Sequence, residues 1–254
     1  MTKKLPTLSP VPNPSGGLRS QRINSLLDGM RSSSRYLEIG LNTGITFENV
    51  TAKRRWGVDP VVGFNQDKLP PGSRIFEQTS DSFFLSLPAG ETFDFIYLDG
   101  LHQFEQALRD IENALAHLAP RGLILIDDVL PTSLLSCFRS QRMSNLAQKL
   151  LGDYSGRWHG DVYRAFAYLR NHLPHLAFTT CMEDPSGRPI HAQTILWVDV
   201  PDKTGVFAGG WWTRSRYRFF LPWFIFNRNK TKDMYRGMTD HSAIAQSLLK
   251  SQGS

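Results

Sequence analysis

Cysteine is scarce in this chain of 254 residues, which has only Cys137 and Cys181. Two isolated thiols provide neither a disulfide framework nor the paired spacing of a zinc-ligand set, so the expectation is a reducing compartment and a cytoplasmic protein. Long apolar runs are missing too, since none approaches the roughly 18 residues that a membrane-spanning helix needs. Lys3 and Lys4 are followed by the proline-punctuated LPTLSPVPNP, which does not read as the apolar core of a signal peptide. Acidic residues number 23 against 29 Lys and Arg, for a net charge of +6. That surplus is compatible with an anionic partner but specifies none. With 41% hydrophobic and 20% charged residues, the composition is that of an ordinary globular protein. One α/β domain with appendages is expected rather than two domains.

The pattern divides into three parts. Residues 1–17 carry Pro6, Pro10, Pro12, Pro14, Gly16 and Gly17 and are expected to form a mobile arm. Residues 18–202 read as the main domain, entered through a helix over Leu18 to Met30. Short apolar runs at Tyr36–Ile39, Trp56–Val58, Ile75–Gln78, Phe93–Leu98 and Leu123–Ile126 alternate with helical patterns. Ala107, Ile111, Ala114, Leu115 and Leu118 recur at helical spacing, and Pro120 with Gly122 is expected to close that helix. Such alternation makes right-handed βαβ units, and hence a Rossmann-like, doubly wound, mostly parallel sheet with helices on both faces. A mostly helical insert is expected after Pro131, then a helix beginning near Trp158, and closing strands at Leu176–Met182 and Ala192–Val200.

Chemistry concentrates where strands end. Gly40, Asn42 and Gly44 follow the first strand and precede a helix, a turn in which the backbone can approach a ligand closely. Glu38 lies inside that otherwise apolar strand, where an acid is costly unless it holds a cation or accepts from a donor. Asp59 ends the second strand about twenty residues on, the spacing at which an acid receives ribose hydroxyls. These features suit a ligand containing a nucleoside. The third glycine of a dinucleotide fingerprint is absent, and an acid before the turn would repel a pyrophosphate. S-adenosylmethionine, with adenosine at one end and a cationic amino-acid end at the other, meets both requirements.

YLEIGLNTG, WGVDP, FDFIYLDGLH and LILIDD, in this order and spacing, resemble class I S-adenosylmethionine-dependent methyltransferases. The D-G-x-H turn at Asp99–His102 and the paired Asp127 and Asp128 are most similar to metal-dependent O-methyltransferases acting on sugars and other small molecules. The resemblance spans about Ser32 to Val200. It implies adenine contacts from Ser80 and Asp81, whose alternative role is to cap the following helix.

Parallel β-strands would bring Asp99, His102, Asp127 and Asp128 to one sheet edge. Three carboxylates crowd together unfavourably unless a cation lies among them, and oxygen donors suit Mg²⁺ or another divalent cation. Asp99, Asp127 and Asp128 are the expected ligands, with Asp99 also facing the cofactor. His102, three residues past Asp99, is the expected general base. The implied reaction is methyl transfer to a hydroxyl of a small, vicinally oxygenated acceptor such as a sugar, polyketide glycoside or catechol-like molecule. Residues 203–254 change character: Trp211, Trp212, Tyr217, Phe219, Phe220, Trp223, Phe224 and Phe226 alternate with Arg214, Arg216, Arg218 and Arg228. Packing on the domain, self-association into a homo-oligomer and peripheral contact with a membrane surface are the readings for this C-terminal extension. Nucleic acid is not an expected partner, because no recognised binding motif accompanies the basic residues. Two rival functions stand beside the main one: a metal-independent N- or nucleic-acid methyltransferase, and a non-catalytic binding or scaffold protein that keeps the fold.

Overall fold

A computed structural model of the chain describes residues 14–30, 34–153, 155–172, 177–181, 192–197, 217 and 237–238. Strands β1 (Arg35–Ile39), β2 (Arg54–Val58), β3 (Ser73–Phe76), β4 (Phe93–Leu98), β5 (Leu118–Ile126), β6 (Ala177–Cys181), β7 (Gln193–Trp197) and β8 (Gly237–Met238) form one sheet. Their order is β3-β2-β1-β4-β5-β7-β6-β8. The first five strands run parallel, and β7 lies antiparallel between β5 and β6. The order reverses between β1 and β4, which makes the crevice at their carboxyl ends the natural ligand site of an open sheet.

Six α-helices are described: α1 (Pro14–Gly29), α2 (Ile45–Asn49), α3 (Ser80–Ser86), α4 (Phe104–Ala116), α5 (Gln141–Leu150) and α6 (Val162–His172). On one face of the sheet Ile23, Leu26 and Leu27 of α1 and Phe47 of α2 pack with Tyr36, Phe95, Tyr97, Leu123 and Leu125. On the other, Phe83 and Phe84 of α3, Leu108, Ile111 and Leu115 of α4, and Phe166 and Leu169 of α6 cover Leu37, Ile96, Leu98, Ile124 and Ile126. Each such fully buried side chain contributes roughly 1.5–3 kcal/mol. Burial therefore outweighs any single capping bond in fixing where α4 and α6 lie.

Four boundaries differ from the sequence reading, one being that the helix expected to begin near Trp158 starts at Val162. The first helix starts at Pro14 rather than Leu18, so residues 14–17, expected in the arm, are helical. Proline suits the first turn of a helix, where its missing N–H is not needed, and the buried Ile23, Leu26 and Leu27 anchor the later turns to the sheet. Helix α4 ends at Ala116, and Pro120 and Gly122 lie within β5. There the β4–β5 register is irregular, Phe93 facing Leu118 and Phe95 facing Leu123, and Arg121 takes a φ of 62°. The pair that looked like a helix stop is a strand irregularity. The insert after Pro131 contains one α-helix, α5, capped by Ser140, and a short 3₁₀ turn at Leu135–Cys137.

Of residues 203–254, the structure describes only Tyr217 and the strand Gly237–Met238. Tyr217 lies against α6, its ring edge-on to Tyr168 and its hydroxyl 2.9 Å from Asn171 Nδ2, while β8 pairs in parallel with β6. The rest of the aromatic and basic stretch lies outside the described residues. Among the described residues no helix is long and apolar enough to cross a membrane.

Candidate active site

The glycine turn after β1 is built against the tip of β4. Gly40 has a φ of 90°, and a Cβ there would overlap the backbone carbonyl of Asp99. Gly44 has a φ of 76°, and a Cβ there would lie 2.7 Å from the Phe64 ring. Asn42 also adopts a left-handed conformation, with φ 47°, as asparagine tolerates better than most residues. Asp59 braces the turn: its Oδ2 accepts the backbone N–H groups of Leu41 at 2.8 Å and Asn42 at 3.1 Å, and its Oδ1 accepts that of Val61 at 2.9 Å. The carboxylate at the end of β2 thus joins the two elements expected to flank a nucleoside.

Glu38 is buried in β1 and accepts a 2.6 Å hydrogen bond from the Tyr36 hydroxyl. Burial pushes its carboxyl up to about 8, with the Tyr36 bond opposing and Asp99 adding to the rise. Ser80 and Asp81 turn toward α4. The Ser80 hydroxyl donates to Asp110 Oδ1 at 2.6 Å, and Asp81 accepts from Gln106 Nε2 at 3.2 Å and pairs with Arg109. The cap of α3 is Thr79, whose hydroxyl accepts from the Ser82 N–H, so capping falls one residue before the two candidates.

At the ends of β4 and β5 the acids converge on His102. Its Nε2 lies 3.2 Å from Asp99 Oδ1 and 3.2 Å from Asp128 Oδ2. Donor atoms of Asp99, His102 and Asp128 all fall within 4.8 Å of one another. Burial lowers the imidazole pKa, but Asp128, Asp99 and Asp127 more than offset it and raise it to about 9. Burial raises Asp128 to about 8 against the pull of His102.

Asp127 is placed differently from its neighbour. Its Oδ2 accepts from the Tyr97 hydroxyl at 2.6 Å and lies 2.6 Å from Arg19 Nε. The Arg19 N–H is not aimed at that oxygen and makes no directed hydrogen bond, so the contact is one of charge. Arg19 Nη1 also lies 3.6 Å from Asp99 Oδ2. Of the three expected metal ligands, Asp99 and Asp128 therefore point at His102, whereas Asp127 faces an arginine from α1.

Residues 158–161 wrap His102. The Trp158 ring stacks on the imidazole with centroids 4.8 Å apart, and buried His159 places Nε2 3.7 Å from Asp128 Oδ1. Gly160, at φ 60°, leaves no room for a Cβ against the His102 backbone. Asp161 donates its N–H to the His102 carbonyl at 3.2 Å, and its Oδ1 accepts the Phe104 N–H at 2.6 Å. Helix α4 is thus capped from a distant loop. Glu105, in the first turn of α4, pairs with Arg139 at 2.6 Å. His117 follows the last helical residue and holds the Glu91 carbonyl through Nδ1 at 2.8 Å, a structural role away from the cluster.

A sheet in this order, with a glycine turn at its switch point and an acid at the tip of β2, is the Rossmann-like, mostly parallel fold expected from the sequence. Residues 24–129, from within α1 to the second acid turn, are similar to the family described as a methyltransferase domain. No curated protein matches the chain by sequence. Among solved structures, a candidate O-methyltransferase from Klebsiella pneumoniae is 17% identical, with 77% of this chain and 84% of that chain covered and a TM-score of 0.50. An O-methyltransferase family protein from Burkholderia thailandensis is 17% identical over 74% of this chain and 56% of its own, again with a TM-score of 0.50. An O-methyltransferase from Bacillus cereus, solved in complex with SAH, is 15% identical over 76% and 84%, with a TM-score of 0.45. At such identities the likeness to the first two shows the fold alone.

Proposed function

We propose that the protein transfers a methyl group from S-adenosylmethionine to a hydroxyl of a small, oxygen-rich acceptor, with His102 as general base and a divalent cation such as Mg²⁺ as an aid. The observation that carries this reading is the convergence of Asp99, His102 and Asp128 beside the turn of Gly40, Asn42 and Gly44. The turn and Asp59 would hold the ribose, Glu38 and Asp99 the cationic amino-acid end, and Ser80 and Asp81 the adenine side. The acceptor hydroxyl would then lie on the His102 side of the methyl donor, within reach of Nε2.

In this reading the base and methyl donor flank one oxygen. As the oxygen–carbon bond forms, the sulfur–carbon bond breaks in line. With His102 neutral, as a cation among Asp99 and Asp128 would make it by offsetting the negative charges that raise its pKa, the hydroxyl proton passes to the imidazole, leaving a neutral thioether. Most of the acceleration comes from holding the reactants in that line, which Trp158, Gly160 and Asp161 support by fixing His102. The donor set suits a hard cation in part: Asp99 and Asp128 offer carboxylate oxygens, and Asp127 would join them once freed from Arg19. Such an ion supplies Lewis acidity to the acceptor oxygen.

Replacing Asp127 and Asp128 together by alanine should leave calorimetric binding of S-adenosylmethionine largely intact and remove metal-stimulated turnover. Unchanged Mg²⁺ binding in that variant would contradict the ligand assignment. A metal-independent methyltransferase is the second reading, favoured by the Arg19–Asp127 contact. It predicts full activity in EDTA.

A further inference from the structure

The acid cluster already contains a cation, and it comes from far away in sequence. Helix α1 packs on the sheet face formed by Tyr36, Tyr97 and Leu125, with its Pro14 half reaching the carboxyl edge. From there Arg19 enters between Asp99 and Asp127, with its side chain 20% exposed and that of Asp127 fully buried. Its neighbour one turn on, Arg22, donates from Nη1 to Gln193 Oε1 at 2.9 Å, and Gln193 Nε2 lies 3.5 Å from the Tyr97 hydroxyl. Tyr97 in turn donates to Asp127 at 2.6 Å and faces Asp99 at 3.3 Å. Two arginines of one helix therefore hold the wall of the site on which a metal would depend.

We propose that Arg19 is a tethered cation that competes with a divalent ion for Asp99 and Asp127, so that loading the metal requires α1 to withdraw its guanidinium. The proposal rests on the divalent-ion part of the proposed function. Its geometric basis is that one carboxylate oxygen is claimed twice. Mg²⁺ binds oxygen at about 2.0–2.1 Å, and Arg19 Nε already stands 2.6 Å from Asp127 Oδ2. Two cations cannot share that position in a site where Asp127 is sealed from solvent, because their repulsion is weakly screened there. When Arg19 is in place, the remaining convergent donors are Asp99, His102 and Asp128, and His102 is needed as base.

Withdrawal has a defined structural consequence. The contacts of α1 with the carboxyl edge run through Arg19 and Arg22, whereas Ile23, Leu26 and Leu27 are buried below. The proposal therefore places the release in the turns of α1 that carry Arg19, with Ile23, Leu26 and Leu27 remaining docked. Metal loading and opening of the cofactor edge become one event, because Arg19 spans the Asp99 that both ligands need.

The test is a calorimetric titration of the wild-type protein and Arg19→Gln with Mn²⁺ alone, with hydrogen exchange of α1 followed in parallel. Removing the competing charge should tighten Mn²⁺ binding by about tenfold or more. Arg19→Lys, which keeps the charge, should stay near the wild-type affinity. In the wild-type protein Mn²⁺ should accelerate exchange in the first two turns of α1 and leave Ile23–Leu27 protected. Equal affinities for wild type and Arg19→Gln, weaker binding in Arg19→Gln, or unchanged α1 exchange on Mn²⁺ saturation would overturn the proposal and leave the metal assignment standing. Absence of Mn²⁺ binding in every protein would sink both.

Discussion

His102→Ala is expected to lower methyl transfer by about 10²–10⁴-fold, the usual contribution of a positioned general base. Binding of S-adenosylmethionine should persist, because the turn of Gly40 to Gly44 and Asp59 is held by contacts that do not involve the imidazole. The loss belongs to the chemical step. The imidazole is stacked on Trp158, closed in by Gly160 and anchored through its own carbonyl to the Asp161 N–H, a degree of orientation that a side chain with a merely structural role would not need. Parallel measurements of cofactor affinity and of rate across pH separate the outcomes. A near-normal rate at every pH would remove the base from the mechanism. Lost cofactor binding would mean that His102 holds the β4 turn rather than a proton.

Gly40→Ala should have the largest effect on the scaffold itself. The residue combines a φ of 90° with a backbone carbonyl of Asp99 in the space a Cβ needs. Left-handed strain costs about 1–3 kcal/mol, and overpacking against rigid backbone a similar amount. The combined loss is about 2–6 kcal/mol, which for a domain of this size lowers the melting temperature by roughly 4–24 °C. The relief available is to separate the tips of β1 and β4, and that displaces Asp99 from the crevice between them and from His102 together. Thermal unfolding and cofactor titration of the variant should therefore fail in concert. A stable variant with normal cofactor affinity would show that the turn does not depend on close approach of the β1 and β4 backbones.

Much of the site could be read from sequence because acids that end apolar strands are conspicuous. Asp99, Asp127 and Asp128 each follow a run that only a buried strand explains, and parallel topology then places them together. The parallel order and the helices on both faces followed from the same alternation. Arg19 carried no such signal. On its helix it is one of two arginines, and its partners lie about 80 and 110 positions away, so only tertiary packing reveals that it enters the acid cluster. The role of Asp161 was hidden for the same reason: its carboxylate caps a helix to which it does not belong. Pro120 and Gly122 misled in the opposite direction, since both residues disfavour helix and strand alike, and the β4–β5 pairing tolerates them as an irregularity. Ser80 and Asp81 were visible as a strand-end turn, but their bonds to Gln106, Arg109 and Asp110 depend on how α4 packs.

Titration of the purified protein with S-adenosylhomocysteine, the demethylated product, bears most directly on the central claim that the crevice between β1 and β4 is a methyl-donor site. One molecule should bind per chain, and hydrogen exchange should slow at residues 38–44 and 59. Replacing Asp59 by alanine should weaken that binding. No binding in the intact protein, or binding that leaves residues 38–44 unprotected, would contradict it.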